Sequence, residues 1–166
     1  IGPTSYGDSP YQSFSTNAGN PYFIDLDILK DEGLLSAHEI SNYYFGDIDY
    51  YLLFQNRYPL LRTAYSRFEK NGEYEKFISE NAFWLDEFAL FMALKEQNHY
   101  RSWIYWEDDN LRTHNSINEA EYERETGFYK FLQFKFFEQW GKLKKYANEN
   151  GIEIIGDMPI YVALDS

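Results

Sequence analysis

The chain has 166 residues, 27 acidic and 15 basic, giving a formal charge of −12; this argues against a nucleic-acid partner, since phosphate binding needs a clustered excess of Lys and Arg. It contains no cysteine, which rules out disulfides, thiolate metal sites and thiol catalysis and suits a cytoplasmic setting. No apolar stretch approaches the ~18–20 residues of a membrane-spanning helix, so no membrane partner is expected.

Aromatic residues make up 20% of the chain, with 16 Tyr, 14 Phe and 4 Trp. They suit either a packed helical core with Tyr at its boundary or a surface that stacks on flat ligands such as sugar rings; composition alone favours the core. Residues 1–24 show no helical period. Gly2, Pro3, Gly7, Pro10, Gly19 and Pro21 punctuate a long loop, and Tyr6, Tyr11, Phe14, Tyr22 and Phe23 give it enough apolar surface to stay ordered. From 25 to about 124 the pattern turns helical. Asp27 is expected to cap a short helix ending at Gly33, and Ser36 with Glu39 matches a capping box. Pro59 suits a first helical position; Leu60, Leu61, Ala64 and Phe68 then share a face before Gly72 stops the run. The segment 83–94 is apolar nearly all round, as in a helix enclosed by others.

The acidic run Glu119, Glu121, Glu123 and Glu125 reads as a solvated face, and Asp108-Asp109 as a helix-end or turn pair. The strongest helix covers 127–150, where Tyr129, Leu132, Phe136, Trp140, Leu143 and Ala147 step by three or four. Lys142, Lys144 and Lys145 suit its C-terminal dipole, and Gly151 supplies the stop. Residues 152–155 then read as a short buried strand, completing the αβ half of a parallel βαβ unit. Ile1 has the character of a strand's last residue, and Asp165-Ser166 falls within a post-strand loop, so a piece of a larger domain is expected.

His38, His99 and His114 match no zinc spacing. Asp25, Asp27 and Asp31 do not form a calcium loop, because Leu29 takes the third ligand position and Lys30 replaces the required glycine. Two places remain. Asp157 follows the C-terminal end of the expected strand, where α/β enzymes carry their sites; it either belongs to such a site or only caps the strand. In Gly7-Asp8-Ser9-Pro10-Tyr11-Gln12, Pro10 stiffens a loop that either presents an aromatic beside polar groups or makes an ordinary turn.

Together these places resemble a known family. The run Gly2-Pro3-Thr4-Ser5-Tyr6-Gly7-Asp8-Ser9-Pro10-Tyr11-Gln12-Ser13-Phe14-Ser15, then Ala18-Gly19-Asn20-Pro21-Tyr22, is similar to the amylomaltases. These are the 4-alpha-glucanotransferases, or disproportionating enzymes, of the alpha-amylase clan. The same order continues through Asn81-Ala82-Phe83-Trp84-Leu85, Phe91-Met92-Ala93-Leu94-Lys95, Phe131-Leu132-Gln133-Phe134 with Gln139-Trp140, and Gly156-Asp157-Met158-Pro159-Ile160-Tyr161-Val162.

The resemblance implies an α/β fold, a piece of a (β/α)₈ barrel. This chain would be mostly α-helical, with a long ordered loop and one or two short parallel strands. Residues 1–24 would be an active-site loop after the second strand, 25–126 an inserted helical subdomain, and 127–166 a barrel helix, the third strand and the start of its loop. The implied reaction moves an α-1,4-glucan segment to the 4-hydroxyl of another chain with retention, which needs two carboxylates, a nucleophile and an acid/base. In the family both follow the region matched by Ser166, so no catalytic residue is expected here, and no cofactor or metal. Tyr11 would stack under the sugar at the cleavage subsite, Asp157 would support the site, and Asp165 would lie near the same sugar, with Leu164 before it where many relatives are acidic. Ser9 and Pro10 would shape the Tyr11 loop, and Asn20 and Pro21 would hold its far end. The implied partner is a maltooligosaccharide or α-1,4-glucan. A non-catalytic glucan-binding module and an aromatic-rich helical interaction domain are the alternatives, and self-association is expected if surface meant for further strands is bare.

Overall fold

The computed structural model describes residues 2–4, 9, 11–41, 47–113, 117–156 and 161–162, the last pair by backbone alone. Two long helices form its frame. Helix α6, Glu123–Glu149, grows from the apolar stripe read in the sequence and buries Phe128, Tyr129, Phe131, Leu132 and Phe136. It lies along α4, Gly72–Gln97, which turns Leu85, Phe88, Ala89, Met92 and Ala93 into the same core. Helix α3, Tyr50–Arg67, adds Leu61 and Ala64. The short helices α1 (Leu26–Asp31), α2 (Ala37–Ser41) and α5 (Asp109–Thr113) complete the helices among the described residues. None of these helices is long and apolar enough to cross a membrane.

Most of the aromatic excess sits in the seam between these helices. Phe131 packs against Phe68 at 5.0 Å and Tyr65 at 5.5 Å between ring centroids. Phe134 meets Tyr74 edge to face at 5.4 Å and Phe68 at 5.9 Å. Such tilted and edge-on pairs favour the ring quadrupoles in addition to burying area. Phe83, expected inside an enclosed helix, is 81% exposed, and Leu143 of the α6 stripe is also exposed.

The capping box forms as read. The Ser36 amide donates to Glu39 Oε2 at 2.8 Å, and the Glu39 amide donates to Ser36 Oγ at 3.3 Å. Other boundaries differ from expectation. The cap of α1 is Asp25, whose Oδ1 accepts from the amides of Asp27 at 2.8 Å and Ile28 at 3.4 Å; Asp27 instead pairs with Lys30 at 2.6 Å. Asp25 wins because its extended backbone precedes the first helical residue, as a cap requires. Gly33 still closes this segment, with φ +78°.

Pro59 does not open a helix; it lies inside α3, which starts at Tyr50 behind the cap Asp49. The bond that proline cannot make would have gone to the carbonyl of Gln55. Gln55, Asn56 and Pro59 are all exposed, so water can serve that carbonyl and the helix continues. Gly72 likewise does not end that helix. Phe68 caps α3, and Asn71 starts α4 by accepting from the Tyr74 amide at 2.9 Å.

The largest correction concerns 152–155. This stretch is not a strand, and Ile155 is 93% exposed. A strand exists through its ladder bonds, and no described residue offers it a partner. Pairing occurs instead between β1, Gln12–Ser13, and β2, Tyr161–Val162, which run parallel with Gln12 opposite Tyr161 and Ser13 opposite Val162. The expected helix stop holds: Gly151 adopts φ +74°, and the Ile152 amide closes on the Ala147 carbonyl at 2.9 Å.

Truncating Phe131, which is fully buried, removes the centre of the seam. Phe131→Ala is expected to cost about 3–5 kcal/mol in chemical denaturation. A second expectation concerns Glu39, which Arg67 grips with two bonds of 2.9 Å while also donating to the Leu34 carbonyl at 3.1 Å. The Arg67 bonds, followed by those from the Ser36 amide and hydroxyl, hold the Glu39 carboxyl down at about 2. A depressed folded value means that this contribution is complete above the unfolded value of about 4.3 and is lost as pH falls from there through about 2. Arg67→Ala should move the Glu39 titration, followed by NMR, up toward the ordinary carboxylate range.

Candidate functional site

The Tyr11 loop is built from hydroxyl-closed turns. The carbonyl of Ser9 accepts from the Gln12 amide at 3.2 Å, and Ser9 Oγ accepts from the Tyr11 amide at 3.3 Å. These bonds bend the chain at Tyr11 and leave its ring 62% exposed, just before β1. Ser13 is buried; its hydroxyl donates to the Ser15 carbonyl at 2.8 Å and accepts from the Ser15 amide at 3.3 Å. Ser15 Oγ in turn accepts from the amides of Asn17 at 3.2 Å and Ala18 at 3.3 Å. Small hydroxyl residues suit such bends because they can replace ladder bonds locally.

Phe14 anchors the middle of the loop. Its ring lies 6.1 Å from Phe91 and 4.9 Å from the Lys95 ammonium. Lys95 is almost wholly buried, and its Nζ also donates to the Arg101 carbonyl at 3.2 Å, so a cation–π contact and a hydrogen bond share one charge.

The far end of the loop is fastened to α6. Asn20 caps the 3₁₀ turn Pro21–Phe23 by accepting from the Tyr22 amide at 2.9 Å, and Pro21 is buried at its start. Asn20 and Pro21, expected at the far end of the loop, thus form its closing turn. Two glutamines of α6 complete the attachment. Gln133 Oε1 accepts from the Gly19 amide at 2.7 Å while its Nε2 donates to the Gly19 carbonyl at 3.0 Å. Gln139 does the same for Asp25, at 2.7 and 3.2 Å. Between them Gly19 rests on the ring of Phe136, so closely that a Cβ would overlap it. The sequence reading gave these glutamines no role. Their signal was available: two amides at buried positions of a helix otherwise lined by aromatics need partners.

The site residues expected from sequence divide accordingly. Ser9 and Tyr11 sit together in the loop, whereas Pro10, Asp157 and Asp165 lie outside the described residues. The parallel pairing of β1 with β2 does bring the Tyr11 segment alongside the segment that follows Asp157. Of the histidines, His38 and His99 are exposed, His99 with φ +56°, and His114 lies outside the described residues. Among the described residues no cluster of three or more His, Cys, Asp and Glu is placed to hold a metal ion. The acidic run is solvated at Glu119, Glu121 and Glu123 and half-buried at Glu125. Glu96 has a structural use: both its oxygens take Arg62 Nη2 at 2.5 Å, and Tyr129 donates to it at 3.0 Å. Burial pushes the Tyr129 hydroxyl far up, so it stays a donor.

A family model described as 4-alpha-glucanotransferase matches residues 1–166. A 4-alpha-glucanotransferase of Clostridium butyricum is 47% identical over 175 residues, covering 100% of this chain and 36% of that protein. One from Streptococcus pneumoniae is 46% identical, covering 100% of this chain and 35% of the relative. Among solved structures, an amylomaltase from Streptococcus agalactiae in complex with acarbose superposes with a TM-score of 0.91 at 39% identity, over 100% of this chain and 36% of that one. The chain thus spans about a third of the length of these relatives.

Gly19→Ala forces a methyl into the Phe136 ring and is expected to cost about 1–3 kcal/mol by overpacking. Equilibrium urea unfolding checks this, and Gly19→Ala with Phe136→Leu should recover part of the loss.

Proposed function

The chain belongs to the 4-alpha-glucanotransferase family, and from that membership we propose that it forms one wall of a saccharide site in an enzyme that transfers α-1,4-glucan segments between maltooligosaccharides with retention. The observation that carries this reading is the exposed Tyr11 ring, held by a loop with little slack. An aromatic face presented to solvent on a fixed backbone is what stacking on a pyranose requires, since the apolar C–H face of the sugar covers the ring while its hydroxyls stay wet. The acarbose complex of the structural neighbour supports an oligosaccharide as the ligand class.

In this reading residues 1–24 are an active-site loop, 25–126 a helical subdomain inserted into a (β/α)₈ barrel, and 127–166 a barrel helix with the segment that follows it. In these assignments β1 belongs to the active-site loop and β2 to the stretch beyond the barrel helix, and their parallel pairing joins the two. Asp157 and Asp165 are assigned to the same sugar as Tyr11, Asp157 in support of site geometry, and Ser9 and Pro10 to shaping the loop. Retaining transfer needs a nucleophile and an acid/base about 5–5.5 Å apart across the bond. We assign both to the part of the family's length that this chain does not span.

Two measurements test the proposal. Titration with maltooligosaccharides should show saturable binding that Tyr11→Ala weakens on the order of tenfold, or about 1.4 kcal/mol; an unchanged affinity would overturn the stacking role. Incubation of the chain alone with maltotriose should yield no longer or shorter products, and disproportionation would overturn the assignment of the carboxylates elsewhere.

A further inference from the structure

We propose that Gln133 and Gln139 are positioning residues for the saccharide loop, acting on substrate through the backbone that carries Tyr11; the inference rests on the sugar-binding reading above. A glutamine amide has the same donor and acceptor as a peptide group. Each of these two pairs with both the N–H and the C=O of one loop residue, as in a close pair of an antiparallel ladder. The loop is therefore bonded to α6 as if the helix side chains were a strand edge.

The spacing makes the attachment a constraint on shape. Gly19 and Asp25 are as far apart in sequence as Gln133 and Gln139. Along a helix that separation rises about 9 Å, whereas an extended chain would span about 20 Å. The loop reconciles the two by folding into the 3₁₀ turn Pro21–Phe23 under the Asn20 cap. Gly19 can seat in the Gln133 clamp because it has no side chain to meet Phe136. From Gly19 back to Tyr11 the chain passes through the Ser15 and Ser13 turns, the Phe14 anchor and the β1 pairing at Gln12–Ser13. The Tyr11 ring is largely solvent-exposed, so its position follows from that backbone.

The two clamps differ in severity. Gly19 is buried, so removing the Gln133 amide leaves two backbone groups without water or partner. The Asp25 bonds to Gln139 are only partly buried, so water can replace Gln139 there and its loss should cost the fold less.

The test is steady-state maltotriose transfer by the full-length enzyme that carries this chain, with Gln133→Met and Gln139→Met, each alone and combined with Tyr11→Ala. The expected result is a KM raised about threefold for Gln139→Met and about tenfold for Gln133→Met with kcat changed by less than about threefold, since ground-state placement of the sugar is what loosens. Neither variant should add to the KM of Tyr11→Ala, because all act through one ring. Gln133→Glu, which keeps the acceptor for the Gly19 amide, should fall between Gln133→Met and the parent. Full additivity with Tyr11→Ala, or a fall in kcat at constant KM, overturns the proposal. If Gln133→Met does not fold, Gln139→Met decides by the same criteria. Tyr11→Ala raising KM while the glutamine variants leave it untouched overturns the positioning role alone. Tyr11→Ala without effect on KM overturns the sugar-binding reading and this inference with it.

Discussion

The aromatic seam of α6 with α3 and α4 is the constraint on which the rest of the molecule depends. Isolated helices are marginal in water, and here their stability comes from mutual burial of Phe, Tyr and Leu. Only with α6 fixed in this way can its remaining face act as a rigid edge for the loop. The rings at 128, 131 and 134 face the helical partners, while Phe136 and the glutamines on either side of it receive the chain from 19 to 25. One helix thus joins a packing problem to a positioning problem.

The abundance of aromatic residues has two separate explanations in the structure. Most are core or core-boundary groups, in tilted or edge-on contact with one another. A few, Tyr11 among them, are exposed despite a well-bonded backbone. Phe14 shows how the two uses connect: its ring is held by Phe91 and the buried Lys95 in the core, while its backbone belongs to the loop that ends in Tyr11.

Much of this was legible in the sequence where the cause is local. The Ser36–Glu39 box, the α6 stripe apart from Leu143, and the Gly151 stop each depend on residues a few positions apart, and each is present in the structure. Apart from the cap of α1, misplaced by two residues, the main misreadings arose where a residue's partner is distant or is solvent. Pro59 looked like a helix start because the signal takes no account of an exposed carbonyl that water can serve. Residues 152–155 have the composition of a buried strand, but strand formation is decided by a neighbour, and none is among the described residues. Gln133 and Gln139 entered the sequence analysis only as part of a family motif, with no role, because each partner lies 114 residues earlier in the chain. At the site, the Tyr11 turn was legible through its Gly, Ser and Pro chemistry; its rigid attachment was not.

The matched spacing of the two amide clamps has a consequence for how this region can change. Surface connections ordinarily absorb insertions and deletions with little penalty. Here the stretch from Gly19 to Asp25 is gauged at both ends against a helix whose rise per residue is fixed, so adding or removing one residue would unseat an amide. In evolution this segment should therefore keep its length as strictly as a secondary-structure element does, even while its exposed side chains, such as Phe23, drift.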